Sequence, residues 1–319
     1  MRYLVTGCAG FIGFHVTKRL LESGHDVMGI DNMNSYCNSN LKRDRIGILN
    51  GLENSGRFIS HSIDFAGPYN LASIHNFRNV DKICHLGAQA GVRYSLENPY
   101  IYMHSNIQGT LNVFELARQA EISDVIYASS SSVYGKNTKL PFSEKDKIDK
   151  PISLYAMTKI TNELMSYTYN HLYGLNMTGL RFFTVYGPWG RPDMALFKFT
   201  KAILEGKPID VYNYGEMKRS FTYIDDIVDG VIAALDKSYP YEIFNLGSSK
   251  TDNLLYFIEC IEKAVGKKAI KNLLPIQHGD VPETFADIGY SKEKLGFEPK
   301  VEIEEGVNNF VSWYREWVT

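Results

Sequence analysis

Apolar positions in the first part of the chain fall into two alternating rhythms. Short apolar runs recur at residues 2–6, 26–30, 58–63, 82–86, 125–128 and 177–183. Bounded by glycine and polar residues, such runs read as strands buried on both faces. Between them lie longer amphipathic segments that read as helices, at residues 16–21, roughly 100–119, and from Leu154 onward. In the last of these, Ile160, Leu164, Tyr167 and His171 follow at spacings of four, three and four, the period of a helix. The polar stretch 32–56 reads as an inserted loop and helix. Strands and helices alternating at this spacing predict an α/β fold with a parallel sheet covered on both faces. Further on, the pattern predicts a helix over 197–204, a short strand over 209–212 and a helix over 226–237. A strand over 242–246 is expected to return to the first sheet, followed by helices over 254–265 and 303–317.

The turn after the first strand reads Gly7-Cys8-Ala9-Gly10-Phe11-Ile12-Gly13. Strand, spaced glycines and helix form the context of a dinucleotide fingerprint. One glycine permits the tight turn, one lets the backbone approach a diphosphate, and one allows close helix–strand packing. The N-terminus of the following helix favours the phosphate charge. Asp31 ends the second strand, where a carboxylate accepts hydrogen bonds from adenosine ribose hydroxyls and repels a 2′-phosphate. That favours NAD over NADP. Asp64, after the third strand, can reach an adenine amino group, although in isolation such a residue is more often a solvated loop Asp. The small residues of Gly87-Ala88-Gln89-Ala90-Gly91 let the chain pass close to a dinucleotide, and Asn106 lies near the start of the next helix.

Four serines, Ser129 to Ser132, follow the fifth strand, at the carboxyl edge where open α/β sheets place ligands. Tyr155 and Lys159 lie one helical turn apart on one face. An ammonium beside a phenol favours the phenolate, which makes Tyr155 a base for an alcohol proton. On its own, a Tyr-x-x-x-Lys pair is more often a surface feature. Its place after the glycine turn and the serines gives it meaning.

The 319 residues, 44% of them hydrophobic, suffice for a large core with two domains or one and an appendage. A net charge of −2 with interspersed signs gives no basic block for nucleic acid. Cys8, Cys37, Cys84 and Cys260 are scattered, which suits a reduced, cytoplasmic protein without a structural metal. No signal-peptide core opens the sequence and no 18-residue apolar run occurs, so no membrane span is expected.

Glycine fingerprint, serine cluster and Tyr-x-x-x-Lys, in this order, resemble the extended short-chain dehydrogenase/reductase superfamily. The resemblance covers essentially the whole chain. It implies a Rossmann-like, doubly wound parallel sheet with a smaller, mixed, mainly helical C-terminal substrate domain. The expected division is 1–183, with roughly 224–250 returning to it, for NAD, and 184–319 for the substrate. It implies Tyr155 as base, Lys159 lowering its pKa and holding the nicotinamide ribose, and Ser130 bridging the sugar hydroxyl and Tyr155. Gly7, Gly10, Phe11, Ile12, Gly13, Asp31, Asn32, Asn34, Asp64, Phe65, Leu86, Ala88, Gln89 and Asn106 would contact NAD alongside Tyr155 and Lys159. The residues after Ser130 are Ser131 and Ser132. Dehydratases and decarboxylases of the superfamily typically carry an acid there, so the resemblance implies oxidation and re-reduction only, meaning epimerisation.

The run from Arg181 to Ala195 resembles the substrate loop of UDP-glucuronate 4-epimerases, in which Thr184 and Arg191 would read the sugar carboxylate. A guanidinium suits that task through paired, charge-assisted bonds. Arg219 would bind the UDP diphosphate, although Ser220 stands where the family often has Asp. Tyr212 would stack on uracil, Asp280 meet the uridine ribose, and Ser131 and Ser132 line the substrate. Gln277 matches the glucuronate group, and His278 reads as an ordinary surface histidine. The implied activity interconverts UDP-glucuronate and UDP-galacturonate. A 4-epimerase of neutral UDP-hexoses or UDP-N-acetylhexosamines is the first alternative, and a non-catalytic NAD-binding module the second. The superfamily also implies a homodimer using the Tyr155 helix.

Overall fold

The structure is a computed structural model and describes residues 1–53, 55–67, 71, 79–277 and 280–319. The expected strands are present as β1 (Arg2–Thr6), β2 (Asp26–Asp31), β3 (Phe58–Ser62), β4 (Lys82–His85), β5 (Asp124–Ser130) and β6 (Asn176–Phe182). Smaller strands follow as β7 (Thr184–Tyr186), β8 (Pro208–Tyr212), β9 (Lys218–Arg219) and β10 (Phe221–Tyr223). The last four are β11 (Tyr241–Leu246), β12 (Asp252–Asn253), β13 (Ile270–Leu274) and β14 (Glu283–Thr284). The helices are α1 (Phe11–Glu22), α2 (Ser39–Asn50), α3 (Tyr94–Glu97), α4 (Pro99–Tyr102), α5 (Gly109–Gln119) and α6 (Leu154–Tyr173). They continue as α7 (Ala195–Leu204), α8 (Ile224–Asp236), α9 (Leu254–Val265), α10 (Gly289–Leu295) and α11 (Ile303–Val318).

Seven strands form one sheet in the order β11-β6-β5-β4-β1-β2-β3, all parallel. Successive residues of β1 enter different cores: Tyr3 and Val5 pack on one face, Leu4 on the other. This is the two-sided burial that a continuous apolar run implies. Strand order reverses between β1 and β4, so their carboxyl ends border the crevice where such sheets bind ligands. The rest of the chain builds short paired strands, β7 with β10, β8 with β13, and β9 with β12 and β14. Against these lie α7, α9 and α11, whose Phe197, Phe257 and Phe310 share a core with Phe221.

Three features depart from the expected pattern. First, β5 runs on to Ser130, so two of the four serines belong to the strand. Second, the helix expected over 100–119 contains a wide π turn over Met103–Gln108. Third, α6 has its polarity turned inward: Lys159, Asn162, Glu163 and Ser166 are buried, while Leu164, Tyr167 and Leu172 are exposed. His278 lies outside the described residues.

Candidate active site

The catalytic helix starts cleanly. Ser153 caps it, its hydroxyl accepting from the Ala156 N–H at 3.1 Å, and Gly174 in the left-handed region ends it. Tyr155 is half-buried at the cavity wall and Lys159 is 3% exposed, which excludes the surface reading of the pair. The Lys159 ammonium donates to the Ala128 carbonyl at 2.7 Å, and burial lowers its pKa to about 8, opposed by Glu163. For Tyr155, burial raises the pKa, while a hydrogen bond with Ser130 and the positive charge of Arg191 pull it down. Arg191 is one cation that acts on the phenol, and Lys159 bonds the β5 backbone one helical turn away.

A buried polar network stands behind this pair. Glu163, one turn beyond Lys159, receives Arg181 Nε at 3.0 Å and Nη2 at 2.8 Å and the Ser129 hydroxyl at 2.5 Å. Arg181 continues to the Tyr134 hydroxyl at 3.0 Å, which donates to Asn245 Oδ1 at 2.6 Å. The unexpected polarity of α6 is thereby explained: much of its inner face is hydrogen-bonded to the sheet, beside the core contacts of Met165 and Tyr169.

At the cofactor end, Gly7 has φ +72°. A Cβ at Gly13 would stand 2.0 Å from the Gly7 carbonyl oxygen. No side chain caps the N-terminus of α1 and no acid sits in its first turn, so these N–H groups are available to an anion. This cradle fits the diphosphate of NAD. Asp31 is buried and paired to Lys42 at 2.9 Å; its Oδ1 also accepts the Met33 N–H at 2.9 Å. Arg45, wholly buried, donates to the carbonyls of Ala9 and Trp189, tying the glycine turn to the substrate loop. Its Nε has no partner, and burial lowers its pKa to about 10.

One cavity of about 970 Å³ connects these groups. It is lined by Gly7, Gly10, Phe11, Ile12, Gly13, Asp31, Asn32, Asn34, Phe65, Leu86, Ala88, Gln89, Ser130, Ser131, Ser132, Tyr155 and Lys159, and at its far end by Thr184, Arg191, Tyr212, Arg219 and Asp280. Two expected cofactor residues are not in its wall. Asp64 accepts from the Ala66 N–H at 3.0 Å and pairs with His104 at 2.8 Å. Asn106, in the π turn, is fully buried. Its Oδ1 accepts the Gln89 N–H at 2.8 Å, and its Nδ2 donates to the Gln89 carbonyl and Thr158 Oγ1, both at 3.0 Å. Asn106 thus holds the shape of the 87–91 loop from behind.

Arg219 is pinned by the carbonyls of Lys218, Pro282 and Val281. Ser220, where the family often has Asp, bonds the Ser248 carbonyl at 2.7 Å, and the acids that act on Arg219 are Asp280 and Glu283. Arg93, unremarked in the sequence, lies 4.7 Å over the Tyr212 ring and pairs with Asp280 at 2.8 Å. Lys42, Arg45, Arg93 and Asp193 join the site through tertiary contacts. The available sequence signal was their charge beside recognisable loops.

A glycine turn at the switch point, with a Ser–Tyr pair and a buried Lys beyond it, defines a dinucleotide-dependent site for oxidising an alcohol. Residues 3–247 match the NAD dependent epimerase/dehydratase family, and the chain belongs to that family. A protein of Methanocaldococcus jannaschii described as uncharacterized is 58% identical over 98% of this chain and 96% of its own length. A probable UDP-glucuronate 4-epimerase of Rhizobium meliloti is 46% identical, covering 98% and 97%. The crystal structure of UDP-glucuronic acid 4-epimerase from Bacillus cereus with UDP-glucuronic acid and NAD superposes with a TM-score of 0.93 at 34% identity, covering 99% of this chain and 100% of that one.

Proposed function

We propose that the protein is an NAD-dependent UDP-glucuronate 4-epimerase, interconverting UDP-glucuronate and UDP-galacturonate. The observation that carries this reading is that Tyr155, Ser130 and Arg191 converge on the cavity that also holds the glycine turn. NAD bound there would supply a hydride acceptor and donor for C4 of the sugar, which serves epimerisation through oxidation and re-reduction. The protein's part is proton transfer and placement. Tyr155 removes the 4-hydroxyl proton and later restores it, with Ser130 bonded to both oxygens. Lys159, anchored on Ala128, is placed for the nicotinamide ribose. The glycine turn, tied by Arg45 to the 184–195 loop, would hold the diphosphate, and Asp31 the adenosine ribose. Arg219, Tyr212 and Asp280 take the UDP half, and Ser131, Ser132, Thr184 and Arg191 face the sugar and its carboxylate.

We place the enzyme in the cytoplasm as a homodimer. Among the described residues no helix is long and apolar enough to cross a membrane. The exposed Leu164, Tyr167 and Leu172 of α6, with Leu96, Tyr100 and Met103 on the segment whose helices α3 and α4 contact α6, supply an apolar surface for a second copy.

The test is a product assay with UDP-glucuronate and UDP-glucose. Formation of UDP-galacturonate, with Arg191→Ala losing the uronate far more than a neutral sugar, is expected. Tyr155→Phe should keep NAD and lose turnover. A clear preference for UDP-glucose would instead establish the neutral-hexose reading.

A further inference from the structure

Arg191 is not a free guanidinium. Its Nε and Nη2 donate to the two carboxylate oxygens of Asp193 at 3.0 and 2.5 Å. Tyr36, from the loop after β2, donates to the same carboxylate at 3.4 Å. The group packs against the backbone of Gly91, in the loop after β4. A Cβ there would stand 2.8 Å from the Tyr36 hydroxyl and 3.7 Å from Arg191 Nη2, and Gly91 has φ +105°. Three loops that are distant in sequence therefore meet at one guanidinium.

A guanidinium has more than one edge that can bind a carboxylate. Asp193 takes the Nε–Nη2 edge and leaves the Nη1 side. Resting on the carboxylate reading of Arg191 above, we propose that Asp193 is a positioning and specificity residue. It locks one edge of Arg191 and turns the other toward the uronate carboxylate, with Tyr36 and the bare backbone of Gly91 fixing Asp193 in turn. Because Asp193 offsets part of the Arg191 charge, the placement of the guanidinium weighs in recognition beside its charge. Selection for a uronate then depends on a guanidinium edge held in place, and a neutral sugar leaves that edge unmatched. Misplacement of such a group by about 1 Å is enough to cost on the order of a hundredfold.

The experiment measures KM and kcat for UDP-glucuronate and a neutral UDP-hexose, retained NAD, and inhibition by UDP. Asp193→Ala should raise KM for the uronate about tenfold or more, leaving NAD content and UDP inhibition within about twofold. Asp193→Asn keeps an acceptor for one N–H and should fall between wild type and Asp193→Ala. Gly91→Ala should reproduce the loss of uronate discrimination through the Tyr36 contact. If Asp193→Ala or Asp193→Asn lowers KM for the uronate, Asp193 is a plug competing with substrate and the proposal is overturned. An unchanged uronate-to-neutral ratio in both variants overturns it as well. Arg191→Ala separates the two layers: if it spares the uronate, the carboxylate reading fails. If it hurts the uronate while Asp193→Ala does not, only the role of Asp193 fails.

Discussion

Replacing Glu163 by Gln probes the catalytic helix without touching a group that faces substrate. The side chain shapes are nearly identical, so packing is preserved and the charge is removed. Glu163 and Arg181 are 5% and 4% exposed, and Arg181 also lies 4.9 Å over the Tyr134 ring. Removing one partner of a buried pair leaves the other charged and uncompensated, at about 3–5 kcal/mol. Glutamine retains one acceptor for Arg181 or Ser129, which favours the lower end, about 3 kcal/mol. At about 2–4 °C per kcal/mol for chains somewhat shorter than this one, the melting temperature should fall by several degrees. A second readout is specific to the site. Glu163 opposes the burial that holds the Lys159 pKa at about 8, so its loss moves that pKa further down. An alkaline limb in kcat should shift to lower pH in Glu163→Gln. A variant as stable as wild type, with an unmoved alkaline limb, would refute both the buried-pair argument and its link to Lys159.

Other outcomes follow from the same geometry. His15 donates to the Pro188 carbonyl at 3.0 Å and His85 lies between Thr6 and Thr110; burial lowers both pKa values to about 3. The unfolded chain then binds more protons than the folded one between pH 6.5 and about 3, so stability declines as pH falls through that window. Each histidine contributes a slope of about 1.4 kcal/mol per pH unit. Urea unfolding at pH 7 and pH 5 should show the loss, and His85→Asn should flatten it; equal stability at both pH values contradicts the assignment. Gly13→Ala places a Cβ 2.0 Å from the Gly7 carbonyl oxygen and should yield protein purified without NAD, read by nucleotide released on denaturation. Arg45→Met removes the bonds to Ala9 and Trp189 and should weaken NAD and raise KM for the nucleotide sugar together; an effect on one alone breaks the proposed coupling.

Legibility in the sequence followed locality. Gly7 to Gly13 and the Tyr155–Lys159 pair were readable because strand, turn and helix fix their geometry within a few residues. The strands were readable because each apolar run is buried on both faces. The polarity of α6 was not. Its apolar stripe marks a helix correctly, yet Leu164 and Tyr167 of that stripe face outward, because Glu163 finds Arg181 on a strand formed later in the chain. Asn106 is expected beside the cofactor from its position, and the π turn that holds it buried behind the 87–91 loop carries no signal in the sequence. Arg45, Arg93 and Asp193 carry no local signature. Their roles depend on carbonyls, rings and carboxylates brought close by the fold.

The return of β11 to the edge of β6 also bears on how the protein is made. During synthesis, residues up to Phe182 can assemble six strands, but β6 then presents an unpaired edge until Tyr241–Leu246 emerges. Such an edge is a template for pairing with another nascent chain. A fragment cut between the two regions should therefore aggregate during expression, and a fragment extended through Leu246 should be better behaved. The substrate region is not an appendage that translation adds to a finished module, because part of the first module's own edge is encoded within it.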